Sequence, residues 1–163
     1  KDRLVVLVSS SKTFNIAGGL MGNVIIEDSD LRKKFHQAHK AIGTMPNLFG
    51  MKIAEAVYSH GHSWLDELLV YLKGNAQIFN NGISKIRGLK SMELSATYLA
   101  WVDFSSTKMS EKEIIYRVHN IAGIAASVGS TFGIGGENFM RFNLACPKVK
   151  VIEAVRRLQN AFA

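Results

Sequence analysis

The sequence holds one cysteine, Cys146, in 163 residues, so no disulfide can form within the chain. A lone thiol fits a reducing compartment, and the expected location is cytoplasmic. With no activating partner evident near it, Cys146 reads as a small buried apolar side chain and not as a nucleophile. No apolar run is long enough to span a bilayer, so no membrane partner is expected. Residues 1–8 show no small-residue cleavage pattern of a secretory leader. There is no internal repeat and no low-complexity tract. Histidine is scarce: His36 and His39 are three apart, and His60 and His62 flank Gly61. Zinc would need a third ligand and a better spacing, so no metal site is expected.

Acidic residues are outnumbered, 13 against 20 lysines and arginines, for a formal charge of +7. Such an excess suits an anionic partner. The cations are mostly spread out, however, and only Arg32, Lys33, Lys34 and Lys40 share one segment. No helix-turn-helix or RNA-binding signature accompanies them. That segment reads as a solvated helix face, and no nucleic-acid partner is expected. Hydrophobic residues make up 47% of the chain and charged residues 20%, which is enough apolar material for a folded core.

What is present begins with Leu4, Val5, Val6, Leu7 and Val8, an apolar run without alternation. That pattern predicts a strand buried on both faces, as in an α/β sheet. Lys1, Asp2 and Arg3 lead straight into it. The chain then turns polar: Ser9, Ser10, Ser11, Lys12 and Thr13, followed by Phe14 and two glycines, Gly18 and Gly19. A lysine at the end of a buried strand sits where open α/β sheets place ligands. Partial burial there would free its amine as a nucleophile. A serine-rich turn can hold a phosphate. A solvated loop lysine is the alternative.

Further along, Asn23 to Ile26 is a second strand candidate, and Asp28 or Ser29 can cap a helix over about 30–42. Asn47 caps a short helix ended by Gly61. His62 or Ser63 opens a long helix in which Leu65, Leu68, Leu69, Leu72 and Phe79 recur at helical spacing, fading at Asn80, Asn81 and Gly82. Residues 96–104 are rich in β-formers. Ser110 and Glu113 form a capping-box pattern opening a helix to about Ala122. Residues 124–128 read as extended, 129–138 as a glycine-rich loop, 139–145 as a strand, and Pro147 starts a terminal helix. Arg141 interrupts that last, otherwise apolar strand. If buried it must find an acceptor, since a guanidinium cannot deprotonate. Either it pairs with an acid or backbone carbonyls, or it clamps a carboxylate from a ligand.

The segment Ser11-Lys12-Thr13-Phe14-Asn15-Ile16-Ala17-Gly18 resembles the cofactor-lysine segment of fold-type I pyridoxal-phosphate enzymes. It is most similar to the cystathionine β-lyase/cysteine C–S lyase branch of the class I/II aminotransferase superfamily. Residues 96–103 resemble the family's small-domain strand, and residues 129–133 the loop before its arginine. Residues 139–147 resemble the segment whose arginine holds the substrate α-carboxylate. The resemblance implies that pyridoxal 5'-phosphate is the cofactor, bound covalently through Lys12, with Arg141 on the carboxylate of an amino-acid substrate. Ser9 matches the phosphate-contacting serine three before the lysine, and Ser11 is a weaker candidate. Ordinary turn chemistry is the alternative for both.

The implied fold is α/β: the remainder of an aminotransferase-like large-domain sheet over 1–61, then an interdomain helix and an α+β small C-terminal domain over 62–163. The implied function is a carbon–sulfur β-lyase acting on cystathionine or cysteine conjugates, with an aminotransferase as the alternative. A homodimer is implied for the complete protein. Leu20 stands where the aspartate-aminotransferase branch commonly has a phosphate-contacting arginine, which favours the lyase branch. Gly19 replaces a usual leucine. The family's pyridinium-pairing aspartate, its asparagine on the cofactor hydroxyl and its ring-stacking tyrosine have no counterpart here. The chain is therefore expected to be the C-terminal part of such an enzyme, inactive alone and with apolar surface exposed; a non-catalytic self-associating module is the remaining alternative.

Overall fold

The structure, a computed structural model, describes residues 3–163; Lys1 and Asp2, which lead into the first strand, lie outside the described residues. The chain forms two compact units that divide between Leu68 and Leu69.

In the first unit, β1 (Val5–Val8) pairs antiparallel with β2 (Asn23–Ile26), in the register Val5 to Ile26 and Val8 to Asn23. Between them lie the short helix α1 (Ser10–Thr13) and a tight 3-10 turn at Ala17–Gly19. The strand forms where expected, but it is not buried on both faces: Leu7 is 74% exposed and Val5 and Val8 are about half so. The reason is topological. The sheet has only these two strands, so β1 has a single neighbour, and its apolar run meets no covering layer among the described residues.

Helix α2 (Ser29–Ile42) is capped by Asp28, whose Oδ1 accepts from the Leu31 N–H at 2.7 Å, and it ends at Gly43, which takes φ +73°. None of its residues is buried, so Arg32, Lys33, Lys34 and Lys40 sit on a solvent-facing helix. Helix α3 (Leu48–His60) starts at Asn47, whose carbonyl accepts from the Gly50 N–H at 2.6 Å while its amide donates to the Gly19 carbonyl at 2.9 Å. A Cβ on Gly50 would lie 2.1 Å from that same Gly19 carbonyl, so the helix start approaches the 3-10 turn backbone to backbone.

Helix α4 (His62–Ile83) begins in the first unit and ends in the second. It runs through Gly82, where the sequence suggested it would fade. Gly82 is buried, and a Cβ there would meet Val155 Cγ1 at 2.2 Å. Close packing, and not chain termination, explains this glycine.

The second unit is a four-stranded antiparallel sheet of order β3-β4-β6-β5: β3 (Lys90–Ser91), β4 (Leu99–Asp103), β6 (Phe139–Asn143) and β5 (Ser127–Val128). Alternation decides its faces. Ala100, Val102, Met140 and Phe142 point into the core with Phe79 and Ile83 of α4. They meet Ile114 of α5 (Glu111–Tyr116) and Val151, Val155 and Leu158 of α6 (Lys148–Ala161). Fully burying a side chain such as Phe79 or Leu158 contributes ~2–3 kcal/mol. The partners of opposite parity, Trp101, Phe139 and Arg141, are left on the other face.

Helix α5 is shorter than its sequence pattern suggests, because the chain loosens into a π turn at Arg117–Ile121 before Ala122. Only half of its capping box forms. Ser110 Oγ accepts from the Glu113 N–H at 3.3 Å, but the Glu113 carboxylate takes the Arg117 Nε–H at 2.8 Å. Arg117 also donates to the Ala161 carbonyl at 2.7 Å, tying α5 to the end of α6.

Candidate functional site

Lys12 lies in the last turn of α1, directly after β1. Ser9 caps that helix: its Oγ accepts from the Ser11 N–H at 3.2 Å and donates to the Met21 carbonyl at 2.8 Å. Ser11 Oγ donates to the same carbonyl at 3.3 Å. Ser9, Ser11 and Lys12 are thus held within one closed loop whose far end is Met21. Between them Ser10 is fully buried, and among the described residues its hydroxyl has no hydrogen-bond partner. Nothing in the sequence singled out Met21, since a main-chain acceptor leaves no residue-type signature.

The expected partial burial of Lys12 is not found: the side chain is exposed, as follows from the uncovered end of a two-stranded sheet. Among the described residues it makes no hydrogen bond or ion pair. What fixes its turn is Phe14. That ring is buried, with Tyr58 edge-on at 6.0 Å and Trp64 at 6.2 Å. A Cβ on Gly61 would lie 2.6 Å from the Phe14 ring, so the glycine that ends α3 also makes room for the anchor. Asn15 then reverses the chain with φ +54°.

Arg141 belongs to the second unit. On β6 it stands opposite Trp101 of β4 and Ser127 of β5. Of the two alternatives drawn from the sequence, pairing within the chain does not occur: among the described residues Arg141 has neither an acid nor a carbonyl acceptor. Its guanidinium carbon lies instead 4.4 Å from the centre of the Phe132 ring. Phe132 touches Trp101 at 5.7 Å and 73°, and Trp101 stacks on Phe139 at 5.4 Å and 11°. The aromatic residues around Arg141 escaped the sequence reading because Phe132 and Trp101 are 9 and 40 positions away from it.

The strand that carries Arg141 is held from behind by Asn75 of α4. This fully buried amide donates to the carbonyls of Leu144 and Cys146, both at 2.9 Å. Cys146 is half-buried, not fully buried as expected, because it sits past the end of β6. Burial pushes its thiol pKa up, with the Lys150 charge acting in the opposite direction.

Among the described residues no three of His, Cys, Asp and Glu cluster as a metal site would require. His39 stacks on Phe35 at 5.8 Å and faces Thr44 Oγ1 at 3.0 Å. No described helix is long and apolar enough to cross a membrane.

Residues 1–158 match the family model for aminotransferase class I and II. The chain is 34% identical to cystathionine beta-lyase PatB of Bacillus subtilis and 30% identical to protein MalY of Escherichia coli, over 99% and 96% of its own length. Cystalysin of Treponema denticola, solved with a pyridoxal 5'-phosphate cofactor, superposes with a TM-score of 0.92 at 34% identity. That match covers 98% of this chain and 41% of cystalysin. The chain spans about two fifths of the length of the curated relatives it matches, 42% of PatB and 41% of MalY. A strand–turn–lysine segment and an arginine-bearing sheet, in this order and fold, together with a match over nearly all of its residues, place the chain in the aminotransferase class I and II family.

Proposed function

We propose that the complete protein carrying this chain is a pyridoxal-phosphate-dependent carbon–sulfur β-lyase. Its substrate is cystathionine or a cysteine conjugate, and its products are pyruvate, ammonia and a thiol. The observation that carries this reading is Lys12: an exposed amine without a partner among the described residues, in a turn anchored by buried Phe14. Its setting adds support, since relatives named as lyases match nearly the whole chain.

The residues present fit such a cofactor. An aldehyde needs an uncommitted primary amine, which Lys12 offers. A phosphate needs donors, and the hydroxyls of Ser9 and Ser11, both aimed at the Met21 carbonyl at the far end of their loop, can turn to it. When bound, the cofactor's ring takes up the electron pair left as the Cα–H bond breaks. Lys12 Nζ would hold the cofactor through its aldehyde carbon, and the same amine is the base on this chain that would take the Cα proton. Arg141 grips the α-carboxylate with two N–H donors, which fixes the direction of that Cα–H bond. Leu20, in place of an arginine eight positions after Lys12, favours the lyase over the aminotransferase. The proposal extends to the division of labour along the chain, with residues 1–61 in a cofactor domain and 62–163 forming the bridging helix and small domain. It extends also to a homodimer in the cytoplasm.

The test is to incubate the full-length protein with cystathionine. Pyruvate without any keto-acid acceptor is the expected result; strict dependence on an acceptor would make it an aminotransferase. Lys12→Ala should abolish the visible absorbance of lysine-bound cofactor, and its retention would overturn the role of Lys12.

A further inference from the structure

Arg141 has a neighbour that charge pairing does not explain. Phe132 is half-exposed, so its ring is not there to fill the core. The Arg141 guanidinium carbon lies over that ring, 4.4 Å from its centre. A cation over an aromatic face is attracted by the ring's quadrupole. The guanidinium's N–H donors all lie in one plane, and among the described residues none of them meets an acid or a carbonyl. Trp101, directly across the strand pair from Arg141, braces the Phe132 ring from the side, and Phe139 braces Trp101 in turn.

The loop bearing Phe132 is built to hold this placement. Thr131 Oγ1 donates to the Val128 carbonyl at 2.6 Å. Gly129 and Gly136 approach backbone to backbone: a Cβ on either would lie 2.2 or 2.1 Å from the other's carbonyl oxygen. Gly133, immediately after Phe132, takes φ +120° and ψ −173°, a conformation open to glycine alone. The loop therefore leaves β5, presents Phe132 to the guanidinium and returns within a few residues.

We propose that Phe132 is a positioning residue. It sets the plane of the Arg141 guanidinium so that two N–H donors meet both oxygens of a substrate α-carboxylate, and it thereby enforces selectivity for the free amino acid over derivatives lacking that charge. This rests on the reading of Arg141 as the carboxylate clamp.

The experiment uses the full-length protein with cofactor and compares a cysteine conjugate with its α-carboxamide. Phe132→Leu should lower kcat/KM for the acid about tenfold and leave the carboxamide nearly unchanged. Phe132→Tyr should restore the wild-type ratio. In an Arg141→Lys background, where no planar fork exists to orient, Phe132→Leu should add less than about twofold. Equal weakening of acid and carboxamide, or an undiminished effect beside Arg141→Lys, would overturn the proposal. If Arg141→Ala leaves acid binding intact, the clamp reading itself fails. If Arg141→Ala weakens the acid and Phe132→Leu does not, only the positioning role fails.

Discussion

Replacing Asn75 by leucine tests whether one buried amide holds the strand that bears Arg141. Asn75 lies on α4, fully buried, and spans 69 and 71 residues of sequence to the Leu144 and Cys146 carbonyls. Leucine has similar volume, so the substitution removes the two donors without opening a large cavity. Each stranded carbonyl costs roughly 1.5 kcal/mol, while removing an unpartnered amide oxygen returns about 1 kcal/mol. That oxygen, Asn75 Oδ1, has no partner among the described residues. The net loss is about 2 kcal/mol, or about a thirtyfold rise in local opening. Native-state hydrogen exchange of peptides covering 139–146 and 148–161 reads this directly. The Leu144 N–H, bonded to the Tyr98 carbonyl at 2.8 Å, is the most informative amide. Asn75→Asp should be worse, because it removes the same donors and buries a charge, at a cost of about 3 kcal/mol or more. Acceleration below about threefold in Asn75→Leu would show that the two carbonyls find water or other donors, and the bracing argument would be refuted.

Gly82→Ala poses a question of sign. In a solvent-facing helix alanine would be favoured by about 1 kcal/mol; against Val155 Cγ1 at 2.2 Å it should destabilise instead, by ~1–2 kcal/mol. A thermal melt decides it, and Val155→Ala in the same chain should recover the loss. Glu153 predicts a dependence on acid. Hydrogen bonds from Arg156 and Arg157 hold its carboxyl at about 2. A depressed carboxylate contributes stability above its ordinary range and loses it as pH falls toward that value. Wild type should therefore lose more stability than Glu153→Gln as pH falls from 4.5 to about 2, with a smaller difference in high salt because the group is partly exposed. Identical acid titrations of the two proteins would contradict the assignment.

Much of this molecule follows from short-range pattern. Asp28, Asn47 and Ser110 each cap the helix that follows them, because a side-chain oxygen two or three residues upstream meets an orphan N–H wherever the chain is placed. The faces of β4 and β6 follow from strict alternation. Lys12 and Arg141 were legible as candidates from residue type and position, Ser9 and Ser11 as such only from the resemblance of the segment they sit in, and the family from those same motifs.

Tertiary structure decided what no window of sequence contains. A continuous apolar run specifies a strand but not its neighbours, so the exposure of β1 follows from its single partner, β2. Gly82 carries the same local signal as a helix end, and only Val155, more than seventy positions on, makes it an interior residue. Arg141 could have met an acid. That it lies under Phe132 instead is set by a glycine-stapled loop and a cross-strand tryptophan. Backbone capping and periodicity act over a few residues, whereas burial and ring contacts depend on which distant segments the chain brings together.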